Sequence, residues 1–143
     1  MESFEFYISE FVSNADAVTY EKAVTYSEIR RVSELFSKEE ELSSVLAHSF
    51  SDRISDIASY LDDERVRVRR SVAYLLLGKM DVPDEIYEKA IRVLEEYALN
   101  AKGDETLMAR GFLLALAESH GAKTTAADDI SLMSSLKSKY IQN

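Results

Sequence analysis

The fold is decided by one stretch of the sequence, Asp62-Asp63-Glu64-Arg65-Val66-Arg67-Val68-Arg69-Arg70-Ser71-Val72-Ala73. Part of its pattern returns 41 positions later, where Asp104-Glu105 and Arg110 match Asp63-Glu64 and Arg69. Apolar residues recur at the same distance, in the pairs Val66 and Leu107, Val72 and Leu113, and Leu75 and Leu116. A period near 40 made of helical segments is typical of helical repeat arrays, in which each helix pair stacks on the next. The sequence therefore predicts an all-α fold.

The first copy of this pattern resembles a HEAT repeat. Residues 54–61 match the end of its first helix, residues 62–65 its turn, and Val66 begins its second helix. In that family an aspartate in the turn and an arginine after an apolar residue form a ladder along the stack. Asp63 and Arg69 match these positions, and Asp104 and Arg110 match them in a second, looser copy with a longer loop. The resemblance covers residues 54–119 and implies a compact HEAT-like α-solenoid or helical bundle of about six or seven helices.

Length and composition predict a single domain over residues 1–143. Hydrophobic residues make up 46% of the chain, enough for a continuous core, while four Gly and one Pro provide too few turn signals for a sandwich or barrel. We expect N-terminal helices in residues 1–50, two HEAT-like repeats in 51–121 and a C-terminal capping helix in 122–143.

Two features of the helix pattern remain to be decided by the structure. Ser37-Lys38-Glu39-Glu40 fits a capping box and predicts a helix start, but residues 38–61 fit one helix or two with a break near residue 50 equally well. The stretches 74–77 and 112–117 are apolar nearly all round, which predicts burial on several sides.

Several function classes lack their sequence signals. No apolar run is long enough to span a membrane, and the N-terminus has no basic region typical of a signal peptide. The chain has no Cys, hence no disulfide framework or thiolate ligand, and a cytoplasmic location is expected.

The sequence also contains no catalytic constellation. His48 and His120 are far apart and lack metal-ligand spacing, and glycine-rich phosphate loops and nucleophile elbows are absent. The paired His-Glu dipeptides of HEAT-like di-iron hydroxylases do not occur. We therefore expect no enzyme activity, cofactor or metal.

Charge is distributed unevenly along the chain. Residues 1–64 contain 15 acidic and 5 basic residues, whereas residues 65–143 contain 11 and 12, for a net charge of −9. This balance disfavours nucleic acid, because phosphate binding depends on Lys and Arg. The acidic half could attract a basic partner or the arginine-rich part of a second copy, or simply keep the protein soluble.

A cluster of arginines opens the helix at Val66. Arg65, Arg67 and Arg70 are candidate residues for binding a partner or an anion, since helix N–H groups and guanidinium groups together favour phosphate or carboxylate. The alternative is local pairing with the acidic residues upstream. Together with Lys79, Arg67 and Arg70 are expected to be exposed on the repeat surface.

Aromatic residues are concentrated near the N-terminus. Phe4, Phe6, Tyr7 and Phe11 lie on a first predicted helix that has difficulty burying all four. An exposed part of this helix could therefore mediate a homodimer or contact a partner, unless neighbouring helices cover all four rings.

These observations favour a non-enzymatic protein-protein binding module or adaptor on a HEAT-like scaffold. The alternative is an anion or nucleic-acid binder that works through the arginine cluster. The two differ in salt response, because phosphate contacts weaken steeply with salt and apolar contacts do not.

Overall fold

The computed structural model describes residues 2–21 and 23–121 of the chain. Within these ranges the fold is all-helical, as predicted, with six α-helices and no strand. The helices are α1 (Phe4–Ala17), α2 (Tyr26–Ser49), α3 (Ile54–Ala58), α4 (Val66–Lys79), α5 (Asp84–Asn100) and α6 (Asp104–Gly121). Short 3-10 turns, Ser51–Arg53 and Ser59–Asp62, flank α3. The capping helix expected in residues 122–143 lies outside the described residues.

None of these described helices combines the length and the apolar character needed to cross a membrane.

Helix α2 begins earlier than the sequence predicted. Thr25 is its N-cap, and a capping box with Glu28 closes its first turn. The predicted start at Ser37 is wrong: the helix runs through Ser37 and Glu40 without interruption. Both pairs have the same Ser/Thr-x-x-Glu spacing, so only the three-dimensional structure shows which one is a cap.

The break near residue 50 occurs as one of the two alternatives proposed. Phe50 leaves helical geometry, with φ −130° and ψ 35°, and ends α2. Its ring lies edge-on to Phe4 at 5.6 Å between centroids and contacts Tyr7 at 5.9 Å. The Arg53 guanidinium lies 4.1 Å from the Phe4 ring centroid. These contacts bring the start of α1 to the end of α2.

The chain divides into two compact units, Met1–Leu94 and Glu95–Asn143. The boundary falls within α5. The single domain over residues 1–143 and its segments stay a prediction. In the first unit α1 packs against α2 and α4. The fully buried large side chains there are Phe11, Val18, Leu46, Ile57, Leu61, Val68, Val72, Leu75, Leu76 and Leu94.

Burial differs between the two helices that the sequence predicted to be covered on several sides. Helix α4 has buried residues around most of its circumference, among them Val68, Val72 and Leu75. In the stretch 112–117 of α6, Leu113 and Ala117 are buried, three residues are partly covered and Ala115 is exposed; earlier in the same helix Leu107 and Met108 are exposed. The prediction is therefore right for the stretch in α4 and only partly right for the stretch in α6.

Candidate functional site

The arginine cluster is held by acceptors of the protein itself. Arg65 binds Asp63 through both carboxylate oxygens, with its Nε 2.9 Å from Oδ1 and its Nη2 3.0 Å from Oδ2. Arg67 donates to the Asp16 carbonyl at 3.3 Å and lies 3.8 Å from a Glu21 carboxylate oxygen. Arg65 thus has the local acidic partner that the sequence suggested as the alternative to an anion site, whereas the acceptors of Arg67 lie far upstream, in and after α1.

Arg70 is buried, with only 3% of its surface exposed, so the prediction that it lies on the surface is wrong. Its Nη1 donates to the Val18 carbonyl at 2.9 Å and its Nη2 to the Ala15 carbonyl at 3.0 Å. The end of α1 is thereby fixed to α4. A helical wheel of α4 alone could not show this, because the residues that cover Arg70 come from more than 50 positions earlier in the chain.

A second contact extends this arrangement to α2. Arg70 Nη2 also donates to Ser71 Oγ at 3.1 Å, and the Ser71 hydroxyl donates to Glu39 Oε1 at 2.6 Å. Desolvation raises the pKa of the Glu39 carboxyl, and the Ser71 hydrogen bond and the Arg70 charge oppose that shift only in part. Glu39 is therefore more easily protonated in the folded chain than in the unfolded chain.

This shift predicts a pH dependence with a defined sign. Because the pKa of Glu39 is raised above its ordinary value of 4.5, its contribution to stability is greatest below that value and declines as pH rises through the folded pKa. Glu39→Gln should remove this decline. Urea denaturation at a series of pH values, taken as the difference between wild type and variant, measures it. If the difference in unfolding free energy does not depend on pH, or changes with pH in the opposite direction, the raised pKa of Glu39 is contradicted.

The ladder positions of the first repeat, Asp63 and Arg69, form hydrogen bonds within the turn that precedes α4. Asp63 Oδ1 accepts the backbone N–H of Arg65 at 2.8 Å. Arg69 Nη1 donates to the backbone carbonyl of Asp63 at 2.7 Å and to that of Glu64 at 3.2 Å. The Arg65 hydrogen bonds lower the pKa of the Asp63 carboxyl, with a smaller effect of the Arg69 charge. Arg69 thus binds the turn through its carbonyls, and a ladder between repeats stays a prediction.

The second pair of ladder positions has a different geometry. Asp104 is the first residue of α6, whereas Asp63 precedes α4 by three residues. A carboxylate in a first helical turn is favoured by the helix dipole whether or not an arginine is near. In the part of the chain that the structure describes, Arg110 Nε is buried without a hydrogen-bond partner.

Three exposed apolar side chains lie at the start of α2, and two of them are the most exposed large apolar side chains among the described residues of the first unit. Val24 is 82% exposed, Tyr26 80% and Ile29 44%. We call these three residues the α2-start surface. They are held in place by the capping box: the Glu28 N–H donates to Thr25 Oγ1, and the Thr25 N–H donates to Glu28 Oε1 at 2.9 Å.

A groove with a volume of about 260 Å³ lies beside this surface. It is lined by Ala17, Thr19, Ala23, Glu28, Arg31, Val32 and Leu35. One wall is the connection between α1 and α2, which the stacking of Tyr20 on Phe36 holds against α2, with ring centroids 5.0 Å apart. The volume is below the roughly 300–1,000 Å³ of pockets for drug-sized ligands, so the groove fits a side chain better than a cofactor.

The predicted aromatic surface of α1 is smaller than expected. Phe4 and Phe11 are buried, and Tyr7 is partly covered beside Phe50. Of the four rings only Phe6 is exposed, with 44% of its surface accessible. A homodimer through this helix stays a prediction.

Across the described residues, no three His, Cys, Asp or Glu side chains are grouped so that they could hold a metal ion. His48 Nδ1 lies 3.0 Å from the Ser44 carbonyl of its own helix. The side chain of His120 lies outside the described part.

Sequence reasoning missed Val24, Tyr26, Ile29 and the groove. A signal was present, since Thr25-x-x-Glu28 is a capping box and Val24 and Ile29 occupy the two positions of a hydrophobic staple. The capping box predicts a helix start, but exposure depends on neighbours distant in sequence, so the tertiary structure was needed to find the surface.

Comparison of the chain with family models, curated proteins and solved structures gives no match. The resemblance to HEAT repeats rests on the residues of this sequence alone.

Proposed function

We propose that this chain is a non-enzymatic protein-binding module, built on a HEAT-like scaffold, that binds another protein through the α2-start surface and the adjacent groove. The single observation that carries the proposal is the exposure of Val24, Tyr26 and Ile29 together on a helix start fixed by hydrogen bonds. Tyrosine is enriched at the centres of protein interfaces, because it buries a large area and loses little conformational entropy. A cytoplasmic location belongs to the same proposal.

The alternative of an anion or nucleic-acid site at the arginine cluster has less support. Arg65 and Arg67 bind acceptors of the protein, and Arg70 is buried. A phosphate would have to displace carboxylates or carbonyls that are already hydrogen bonded, and the net charge of −9 opposes its approach.

Site-specific photo-crosslinking tests the proposed surface. The amino acid p-benzoylphenylalanine is introduced in place of Tyr26 or, as a control, in place of Glu41, an exposed residue of the same helix. In native lysate the probe at position 26 should form a discrete protein adduct that the probe at position 41 does not form.

Competition then ties the adduct to the surface. Excess unlabelled wild-type chain should suppress the adduct, while Tyr26→Ser with Ile29→Ser should suppress it far less and retain the wild-type thermal stability, since exposed positions contribute little. Identical adducts from positions 26 and 41, or equal competition by the double variant, would exclude this surface.

A further inference from the structure

The charges of the groove indicate what its partner brings. Glu28, Arg31, Val32 and Leu35 follow one another at the spacing of a single helical face, and all four line the groove. Among the described residues of the lining, Glu28 and Arg31 are the only charged ones. What each of them already binds therefore decides which charge a partner can neutralise.

One carboxylate oxygen of Glu28 is engaged in the capping box. Its Oε1 accepts from the Thr25 N–H and the Thr25 hydroxyl, both at 2.9 Å, and from the Val24 N–H at 3.3 Å. These hydrogen bonds, led by that of the Thr25 backbone, lower the pKa of the Glu28 carboxyl. Glu28 thus keeps its negative charge, and its Oε1 is oriented by donors of its own helix start.

Arg31 is exposed, and no carboxylate of the described structure pairs with it. Its neighbour Arg30 differs, because Arg30 Nε lies 3.4 Å from Glu34 Oε1, one helical turn along α2. Arg31 therefore carries the positive charge of the groove that remains without an ionic partner. A guanidinium group beside an apolar groove favours a carboxylate, which it can bind through two parallel hydrogen bonds.

We propose that the groove binds a peptide segment of another protein in which a large apolar side chain stands next to an Asp or Glu. The apolar side chain lies against Ala23, Val32 and Leu35, and the carboxylate pairs with Arg31. This inference rests on the proposed function and specifies the partner chemistry of the same site.

The net charge of −9 opposes an acidic partner at long range, but this effect is screened beyond a Debye length of about 8 Å at physiological ionic strength. The contact with Arg31 is shorter than that. Moderate salt should consequently weaken the binding little, or accelerate association, in contrast to the behaviour of a phosphate-binding protein.

Selection of random short peptides displayed on phage, using the full-length chain as bait, tests the inference. Wild type should enrich peptides with a large apolar residue beside Asp or Glu. Arg31→Glu should bind these peptides about tenfold or more weakly and should enrich Lys or Arg instead. Arg30→Glu, which makes the same charge change one residue away, should select the wild-type class.

The remaining outcomes separate the two proposals. Two outcomes overturn the inference and leave the proposed function standing. In the first, the selected peptides depend on Tyr26 and Ile29 for binding but are not enriched in Asp or Glu. In the second, Arg30→Glu and Arg31→Glu weaken peptide binding equally. Peptides that bind the Tyr26→Ser, Ile29→Ser variant as well as wild type overturn both. A selection that enriches no peptide class also counts against both.

Discussion

Arg70→Ala is expected to lower the free energy of unfolding of the first unit by about 3–5 kcal/mol, because removal of one member of a buried ionic network leaves its partners uncompensated. The carbonyls of Ala15 and Val18 would lose their donor, and Glu39 would lose its nearby positive charge. The alanine side chain would also leave a cavity at the contact between α1 and α4. Far-UV circular dichroism in urea, combined with hydrogen exchange of α1 amides, measures the loss within the first unit.

Arg65→Ala is the matched control. It removes the same charge from the same helix start, but its ion pair with Asp63 is exposed, and exposed pairs contribute little to stability. Arg70→Met combined with Glu39→Gln should recover part of the stability lost in Arg70→Ala, since it removes both charges and restores side-chain volume, while the Ala15 and Val18 carbonyls stay without their donor. Equal losses for Arg65→Ala and Arg70→Ala, or no recovery in the double variant, would show that the buried network is not the cause.

Phe11→Ala should be of similar severity, with a loss of about 3–5 kcal/mol, because a fully buried aromatic side chain leaves both lost apolar burial and a cavity. Phe11 has no exposed surface and lies on α1, which packs against α2 and α4. The same denaturation experiments detect the change.

Phe6→Ala provides the comparison on the same helix. Phe6 is exposed and has its ring contact with Tyr7, so its replacement should alter stability by about 0.5 kcal/mol or less. If Phe6→Ala proves as destabilising as Phe11→Ala, Phe6 is covered in solution, and a self-association of α1 measured by light scattering becomes the test of the predicted homodimer.

The burial of Arg70 changes the effect expected when residues of the arginine cluster are replaced. From the sequence, the joint replacement of Arg67 and Arg70 is expected to spare folding and weaken partner binding. The structure predicts the opposite for folding, because Arg70 and Arg67 both bind the end of α1 or the residues that follow it. The connection between α1 and α2 forms one wall of the groove. Replacing these arginines would therefore affect partner binding by displacing that wall.

The candidate site itself was only partly accessible to sequence reasoning. The resemblance of residues 54–119 to helical repeats favours a protein-binding function, which stays a proposal. The position of the binding surface did not follow, because Thr25-x-x-Glu28 and Ser37-x-x-Glu40 have the same spacing and only the first caps a helix. Arg30 and Arg31 are likewise adjacent and identical in type, and they differ only in what surrounds them.

The sequence by itself determined the helical class of the fold, since 3.6-residue apolar periodicity and few Gly and Pro residues act locally. It also placed a helix start beside Val66 and offered the break near Phe50 as one of two alternatives. Only the tertiary structure decided that Arg70 is buried, that Leu107 on α6 is exposed and that the groove holds one unpaired arginine. The physical reason is that burial and charge pairing depend on residues distant in the chain, which a local pattern does not encode.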